Sequence, residues 1–283
     1  MGKISLENIV QAVNDLPSLP QVVLRVMELT EDPDSTAQDI NEVLTQDQGM
    51  TARVLKLANS AFYGFPRRIA TVTEATVLLG FKTIRSLVMA ASVSDMLSQK
   101  IEGYALEYGE LWKHSQCCAM TARHIARKIK FGGLEVAYTA GLLHDIGKVV
   151  LNTYMKETYR EVLDKVQSES IPFLQSEQSI LGFDHAQVGA QVAEKWNLPP
   201  ELVETIACHH EPEQAKVNPK LTAIIHLANV VCSTMGIGLG IDSLLYPVSS
   251  QALEILGLQP ADVDVIISEM ADICSDQQSF DLK

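Results

Sequence analysis

A chain of 283 residues, 47% of them hydrophobic, has enough apolar material for one large or two modest domains with a real core. Its formal net charge of −13 argues against non-specific nucleic-acid binding by the protein as a whole, because a phosphate backbone would be repelled. No run reaches the roughly 20 apolar residues of a membrane span. Met1 to Pro20 has neither a basic start nor an apolar stretch before a cleavage site, so a cytoplasmic protein with no membrane partner is expected.

Apolar spacing of three and four residues recurs along the chain with no sustained two-residue alternation, which predicts an all-α protein. Residues 5 to 13 read as a short helix, stopped by LPSLP, where Pro17 and Pro20 forbid continuation. Gln21 to Thr30 is a second helix, Asp32 to Ser35 a turn, and Ala37 to Gln46 a third helix with Ile40, Val43 and Leu44 inward. Met50 to Ser60 turns Val54, Leu55, Leu57 and Ala58 inward and Arg53 and Lys56 outward. After the YGFPRR loop, Val72 to Leu79 and Thr83 to Leu97 are helices parted at Gly80. They complete a first helical unit over 1–100, and the weak apolar pattern of Ser98 to Gly103 marks its boundary with a second, 101–283, the two packed into one body.

The charge is uneven. Residues 50 to 90 hold Arg53, Lys56, Arg67, Arg68, Lys82 and Arg85 against Glu74 alone, a local +5 where the remainder carries −18. Such a belt is a solvated face, a surface docked on the chain's own acidic remainder, or a recognition surface for an anionic partner. Arg67 and Arg68 stand beside Tyr63 and Phe65 in a loop, a common recognition composition, so partner binding is expected at Arg53, Lys56, Arg67 and Arg68.

Residues 105 to 130 form a long helix whose inward stripe is Leu111, His114, Cys118, Ala122, Ile125 and Ile129; His124 falls off it. AGLLHDIGKVVL, 140 to 151, reads as one apolar helix with a chemical edge of His144, Asp145 and Lys148. Polar groups beside a core need partners. Either Lys148 pairs with Asp145 while His144 bonds a carbonyl, or a cation is bound. Beyond a Glu- and Lys-rich helix over 155–168, Asp184 and Gln187 have capping-box spacing, which puts His185 on a first turn in line with Val188, Val192 and Trp196. Pro199 and Pro200 end that helix and start the next, which leads to His209 and His210. Leu221 to Thr234 carries His226 and Asn229 on its shoulders. The glycine-rich MGIGLGID, 235 to 242, follows no strand and precedes no lysine, so it is a weak phosphate-loop signal. Two more helices and an acidic end complete the chain. Five cysteines without a CxxC pair read as reduced core residues.

His114, His185, His209 and His210, together with the His144 and Asp145 pair, resemble a first-row metal site built between facing helices. Imidazoles with few carboxylates suit iron, zinc, nickel or manganese better than magnesium or calcium. The same residues, in this order, resemble the HD superfamily of metal-dependent phosphohydrolases. The last acidic position, usually HLAD, reads HLAN here, so Asn229 stands where an aspartate is expected. LPSLP at 16–20, RVLKLANSAFYG at 53–64 and LLGFKTIRSL at 78–87 resemble, more narrowly, the HDOD family of bacterial signalling proteins, over about residues 10–235. DQGM at 47–50 replaces that family's usual Asp-Pro, and the Gly-Tyr-Pro motif of the cyclic-di-nucleotide phosphodiesterase branch is missing.

The resemblance implies a signalling and regulatory module acting through a signalling protein or a small anionic ligand. Its competitor is a metal-dependent phosphohydrolase acting on a phosphoester or nucleotide. There His114, His144, Asp145, His185, His209, His210 and Asn229 would hold the metal, with Asp145 and Lys148 catalytic and Lys148 steadying a phosphate. Asn229 weighs against that competitor, because a neutral amide supplies no charge to a Lewis-acid site.

Overall fold

The computed structural model describes residues 18–169, 171–238 and 247–275, with the side chains of 153–157 and 159 left aside. Among the described residues are fourteen α-helices and three short 3-10 segments, with an isolated Ile101 to Leu106 bridge and no strand, so the protein is all-α. The helix expected over 5–13, residues 239–242 of MGIGLGID and the acidic end lie outside the described residues. No described helix is long and apolar enough to cross a membrane.

The chain divides into two compact units, Ser18–Asp95 with residues 271–275, and Met96–Met270. The smaller holds α1 (Gln21–Glu31), α2 (Ala37–Leu44), α3 (Gln48–Ala58), α4 (Val72–Leu79) and most of α5 (Phe81–Leu97). Side-chain caps start three of these helices. Thr36 and Asp39 form a capping box on α2, Asp47 accepts from Met50 N on α3, and Thr71 accepts from Glu74 N on α4. Gly80, at φ +81°, breaks α4 from α5 in a conformation that side-chain-bearing residues rarely adopt. The loop after α3 is tied down by Asn59, whose amide donates to Leu55 O and Ile69 O and accepts from Ile69 N. Within this unit Arg53 pairs with Asp95 at 3.1 Å, Arg67 with Glu74 at 3.0 Å and Arg85 with Glu31 at 2.5 Å, while Lys56, Arg68 and Lys82 are exposed.

The larger unit holds α6 (Glu110–Lys128), α7 (Leu134–Leu143), α8 (Gly147–Glu169), α9 (Phe173–Leu181), α10 (His185–Lys195), α11 (Pro200–Cys208), α12 (Pro219–Thr234), α13 (Ser250–Leu256) and most of α14 (Pro260–Ser275). The stretch 140–151, expected as one helix, is two: α7 ends at Leu143, residues 144–146 turn, and α8 begins at Gly147. Residue 144 keeps right-handed helical angles, so the apolar period runs through the turn unbroken and hides it. Glycines make the bend possible. A Cβ at 147 would lie 1.9 Å from His185 O, and one at 141 would lie 2.9 Å from Ala119 Cα, so only glycine lets these backbones meet. The separate helix expected over 155–168 is the continuation of α8. Cys118, Cys208 and Cys232 are free thiols, as expected. Cys117 and Cys274 are not, each being disulfide-bonded, which corrects the expectation of five reduced cysteines.

Candidate metal centre

The turn between α7 and α8 holds His144 and Asp145 inside the larger unit, both with no exposed surface. Five further elements converge on it. The middle of α6 brings His114, the first turn of α8 brings Lys148, and the first residue of α10 is His185, set there by the Asp184 and Gln187 capping box. His209 and His210 follow the end of α11, and Asn229 comes from α12. Ligand-type atoms gather within 4.8 Å of one another in two groups that share Asp145: one with His185, His209 and His210, the other with His114 and His144. Asn229 joins through its amide, 3.1 Å from His114 Nε2. His124 stands apart, paired with Glu269 at 2.8 Å.

Hydrogen bonds fix which ring atoms face the centre. His144 Nδ1 donates to Gly141 O at 2.7 Å and His209 Nδ1 to Ile206 O at 2.8 Å. Carbonyls only accept, so each Nδ1 carries a proton and each Nε2 is the atom turned toward Asp145, at 3.3 Å and 3.7 Å. Neither Nε2 has a hydrogen-bond partner, nor has Asp145 Oδ1. Lys148 Nζ donates to Asp145 Oδ2 at 2.6 Å, so both features of the purely structural alternative, the Lys148 pair and the His144 carbonyl bond, are present, and they still leave three buried polar atoms unanswered.

The electrostatics set His114, His209 and His210, all of lowered pKa, beside an anion. Burial pushes the Asp145 carboxyl up, but His144 and Lys148 beside it prevail and hold it well below the usual carboxylate range. Burial pushes His114 down to about 4 and His209 and His210 well below the ordinary imidazole value, the neighbouring rings adding to it. His185 is the exception, since burial lowers it but Glu177 against its Nδ1 outweighs burial and leaves it raised.

Glu177 and Tyr104 are functional-site residues that the sequence reading missed. Glu177 is fully buried, accepts from His185 Nδ1 at 2.8 Å and from the His185 backbone N at 3.2 Å, and takes the Tyr104 hydroxyl on its other oxygen. A signal existed. Phe173, Glu177 and Leu181 are spaced by four along α9, which puts a carboxylate in a core-facing stripe. His226 supports the site from beneath, donating from Nδ1 to His209 O at 3.0 Å and accepting from Ser249 N at 3.0 Å.

An HDOD domain family model matches residues 16–212, and the chain belongs to the HDOD domain family. A solved HDOD domain protein of unknown function from Geobacter sulfurreducens is 28% identical with a TM-score of 0.76, covering 96% of this chain and 99% of that one. A Shewanella amazonensis structure bearing the name "Putative phosphohydrolase" is 26% identical with a TM-score of 0.74, covering 97% and 96%. An uncharacterized protein of Treponema pallidum is 27% identical over 225 residues, which are 79% of this chain but only 43% of that protein's length.

Proposed function

We propose that the chain is a regulatory module of bacterial signalling whose buried His and Asp cluster holds a transition-metal ion and whose output runs through binding. The observation that carries this reading is the set of three buried atoms without a hydrogen-bond partner, His144 Nε2, His209 Nε2 and Asp145 Oδ1. A buried polar atom left unsatisfied costs about 1–3 kcal/mol, and one cation can answer several at once. The donor set suits iron, zinc, nickel or manganese. Burial also favours a binding role over turnover, because catalytic sites keep an open position for water and substrate. In this reading Arg53, Lys56, Arg67 and Arg68 meet an acidic surface of a signalling protein or a small anionic ligand, supported by the exposure of Lys56, Arg67 and Arg68.

A second reading, a metal-dependent phosphohydrolase acting on a phosphoester or nucleotide, is favoured by one observation: a lysine ammonium beside the central carboxylate. A bound ion would supply Lewis-acid polarisation and a water of lowered pKa. Lys148 would steady a phosphate oxygen and Asp145 would anchor the centre. Elemental analysis of the purified protein, with bis(4-nitrophenyl) phosphate as a generic substrate, separates the two. Bound metal without turnover is expected. Turnover abolished both by chelation and by His209→Ala would favour the hydrolase, and protein free of metal after growth in metal-replete medium would remove the centre from both readings.

A further inference from the structure

The two oxygens of Asp145 face unlike surroundings. Oδ1 has no hydrogen-bond partner and lies 3.4 Å from His185 Nε2 and 3.7 Å from His209 Nε2. Oδ2 is already taken by Lys148 Nζ at 2.6 Å, and it is this oxygen that lies 3.3 Å from His144 Nε2 and 3.7 Å from His114 Nε2. The two groups that share Asp145 are therefore not equivalent.

On the Oδ1 side every donor is preset for a cation. His185 Nδ1 is held by the Glu177 carboxylate and His209 Nδ1 by Ile206 O, so both rings turn Nε2 inward, and each offers a lone pair there once a cation takes the place of any Nε2 proton. His210 Nε2 lies 2.9 Å from His185 Nε2. Two lone pairs cannot face each other at that distance, so a proton or a cation stands between these rings. On the Oδ2 side the donors are spent. His114 Nδ1 lies 2.9 Å from Ile237 O and its Nε2 lies 3.1 Å from Asn229 Oδ1, so both ring nitrogens are already engaged, and exchanging the amide O and N would let Asn229 donate to a neutral ring at the same place. Only His144 Nε2 lacks a hydrogen-bond partner there. A second ion on this side would share one buried oxygen with an ammonium group, where like charges repel strongly, and Asn229 brings no negative charge to offset that.

Resting on the reading of the cluster as a metal centre, we infer that this chain takes a single transition-metal ion, held by Asp145 Oδ1, His185, His209 and His210, while Lys148 and Asn229 close the His114 and His144 side against a second. Lys148 serves there as a built-in cation.

The test is metal stoichiometry on the full chain, stripped and titrated with Co(II), read by elemental analysis and by the cobalt visible spectrum. The wild type should saturate at one equivalent. His185→Ala should bind about tenfold or more weakly, whereas His114→Ala should keep the ion. A melting curve on each variant shows that it is folded. The double variant Lys148→Met with Asn229→Asp, purified with metal present, should take a second equivalent, a gain that a misfolded chain cannot mimic. Two ions in the wild type, loss of the ion in folded His114→Ala but not in His185→Ala, or no second ion in the double variant would each overturn the assignment and leave the metal reading standing. A wild type that binds no cobalt, zinc, iron, nickel or manganese would overturn both.

Discussion

Charged and titratable residues do opposite things in the two units. In the smaller, Arg67 meets Glu74 at 3.0 Å with its side chain 75% exposed, and such a pair is worth about 0–1 kcal/mol because water screens it and two long side chains must be ordered. In the larger, Lys148 meets Asp145 at 2.6 Å with both side chains buried, and breaking such a pair by removing one partner costs about 3–5 kcal/mol. The separations are alike; the surroundings set the size of the effect. Exposed pairs are adjustable, whereas removing one member of the buried pair leaves the other charge buried and uncompensated.

The contrast can be broken most violently at Gly147. A Cβ there would lie 1.9 Å from His185 O and 2.6 Å from Gly189 N, both backbone atoms that cannot step aside without moving α10. Gly147→Ala should cost about 4 kcal/mol or more, or abolish folding, placing it in the exceptional tail of single substitutions. Urea unfolding followed by circular dichroism measures it, and a loss below about 1 kcal/mol would mean that α8 and α10 have slack that the packing does not show.

Acid should act on the buried cluster and spare the exposed pairs. His114 titrates near 4 in the fold against 6.5 as a free imidazole, so between those values the unfolded chain binds a proton that the folded chain refuses. Stability of the metal-free protein should therefore be flat with respect to this group above pH 6.5 and fall as pH drops toward 4, by about 1.4 kcal/mol per unit for one such proton. His209 and His210, lowered in the same direction, steepen the fall. His185 opposes it, because its raised value adds stability that is fully present below the unfolded pKa. Chemical denaturation at several pH values measures the slope, and His114→Gln should flatten it by about one proton.

Glu177→Gln is a gentler cut. The amide can still accept from His185 and donate to Tyr104, so the hydrogen bonds survive while the charge is lost. Stability should fall by about 1 kcal/mol and metal affinity by about 10- to 100-fold, the usual range when a partner behind a ligating histidine is changed. An unchanged affinity alongside lower stability would reduce Glu177 to a packing role.

What could be read in the residues, and what could not, follows the reach of each signal. Helical period and the Asp184 and Gln187 cap are local, so they place His114 in a buried stripe and His185 at a helix start, and both positions are found there. The bend at 144–146 escapes because residue 144 keeps right-handed angles and because the close approach of residue 147 to His185 O joins positions 38 apart in sequence. The unlike surroundings of the two Asp145 oxygens escape for the same reason, since they depend on atoms from α6, α10, α11 and α12 at once. In the belt the net charge was visible, but Glu31 and Asp95, the partners of Arg85 and Arg53, lie outside residues 50–90.

The smallest effect is expected at Arg67 and Arg68, and its smallness is what makes it informative. Both are exposed, and Arg67 pairs with Glu74 in a setting open to solvent. Reversing them with Arg67→Glu and Arg68→Glu should leave stability within about 0.5 kcal/mol per site, as for surface substitutions generally, which for a chain of this size is a shift of about 2 °C or less each. Capture of an acidic partner is another matter. Screening confines each charge to about 8 Å at physiological ionic strength, so the acidic remainder of the chain does not cancel a local basic surface. Retention on a polyglutamate resin should weaken as salt rises, and the reversal should abolish the salt-dependent part, with association slowed more than dissociation is hastened. A drop in melting temperature of more than about 5 °C, with retention unchanged, would mean that these arginines are spent on holding the protein's own acidic surfaces.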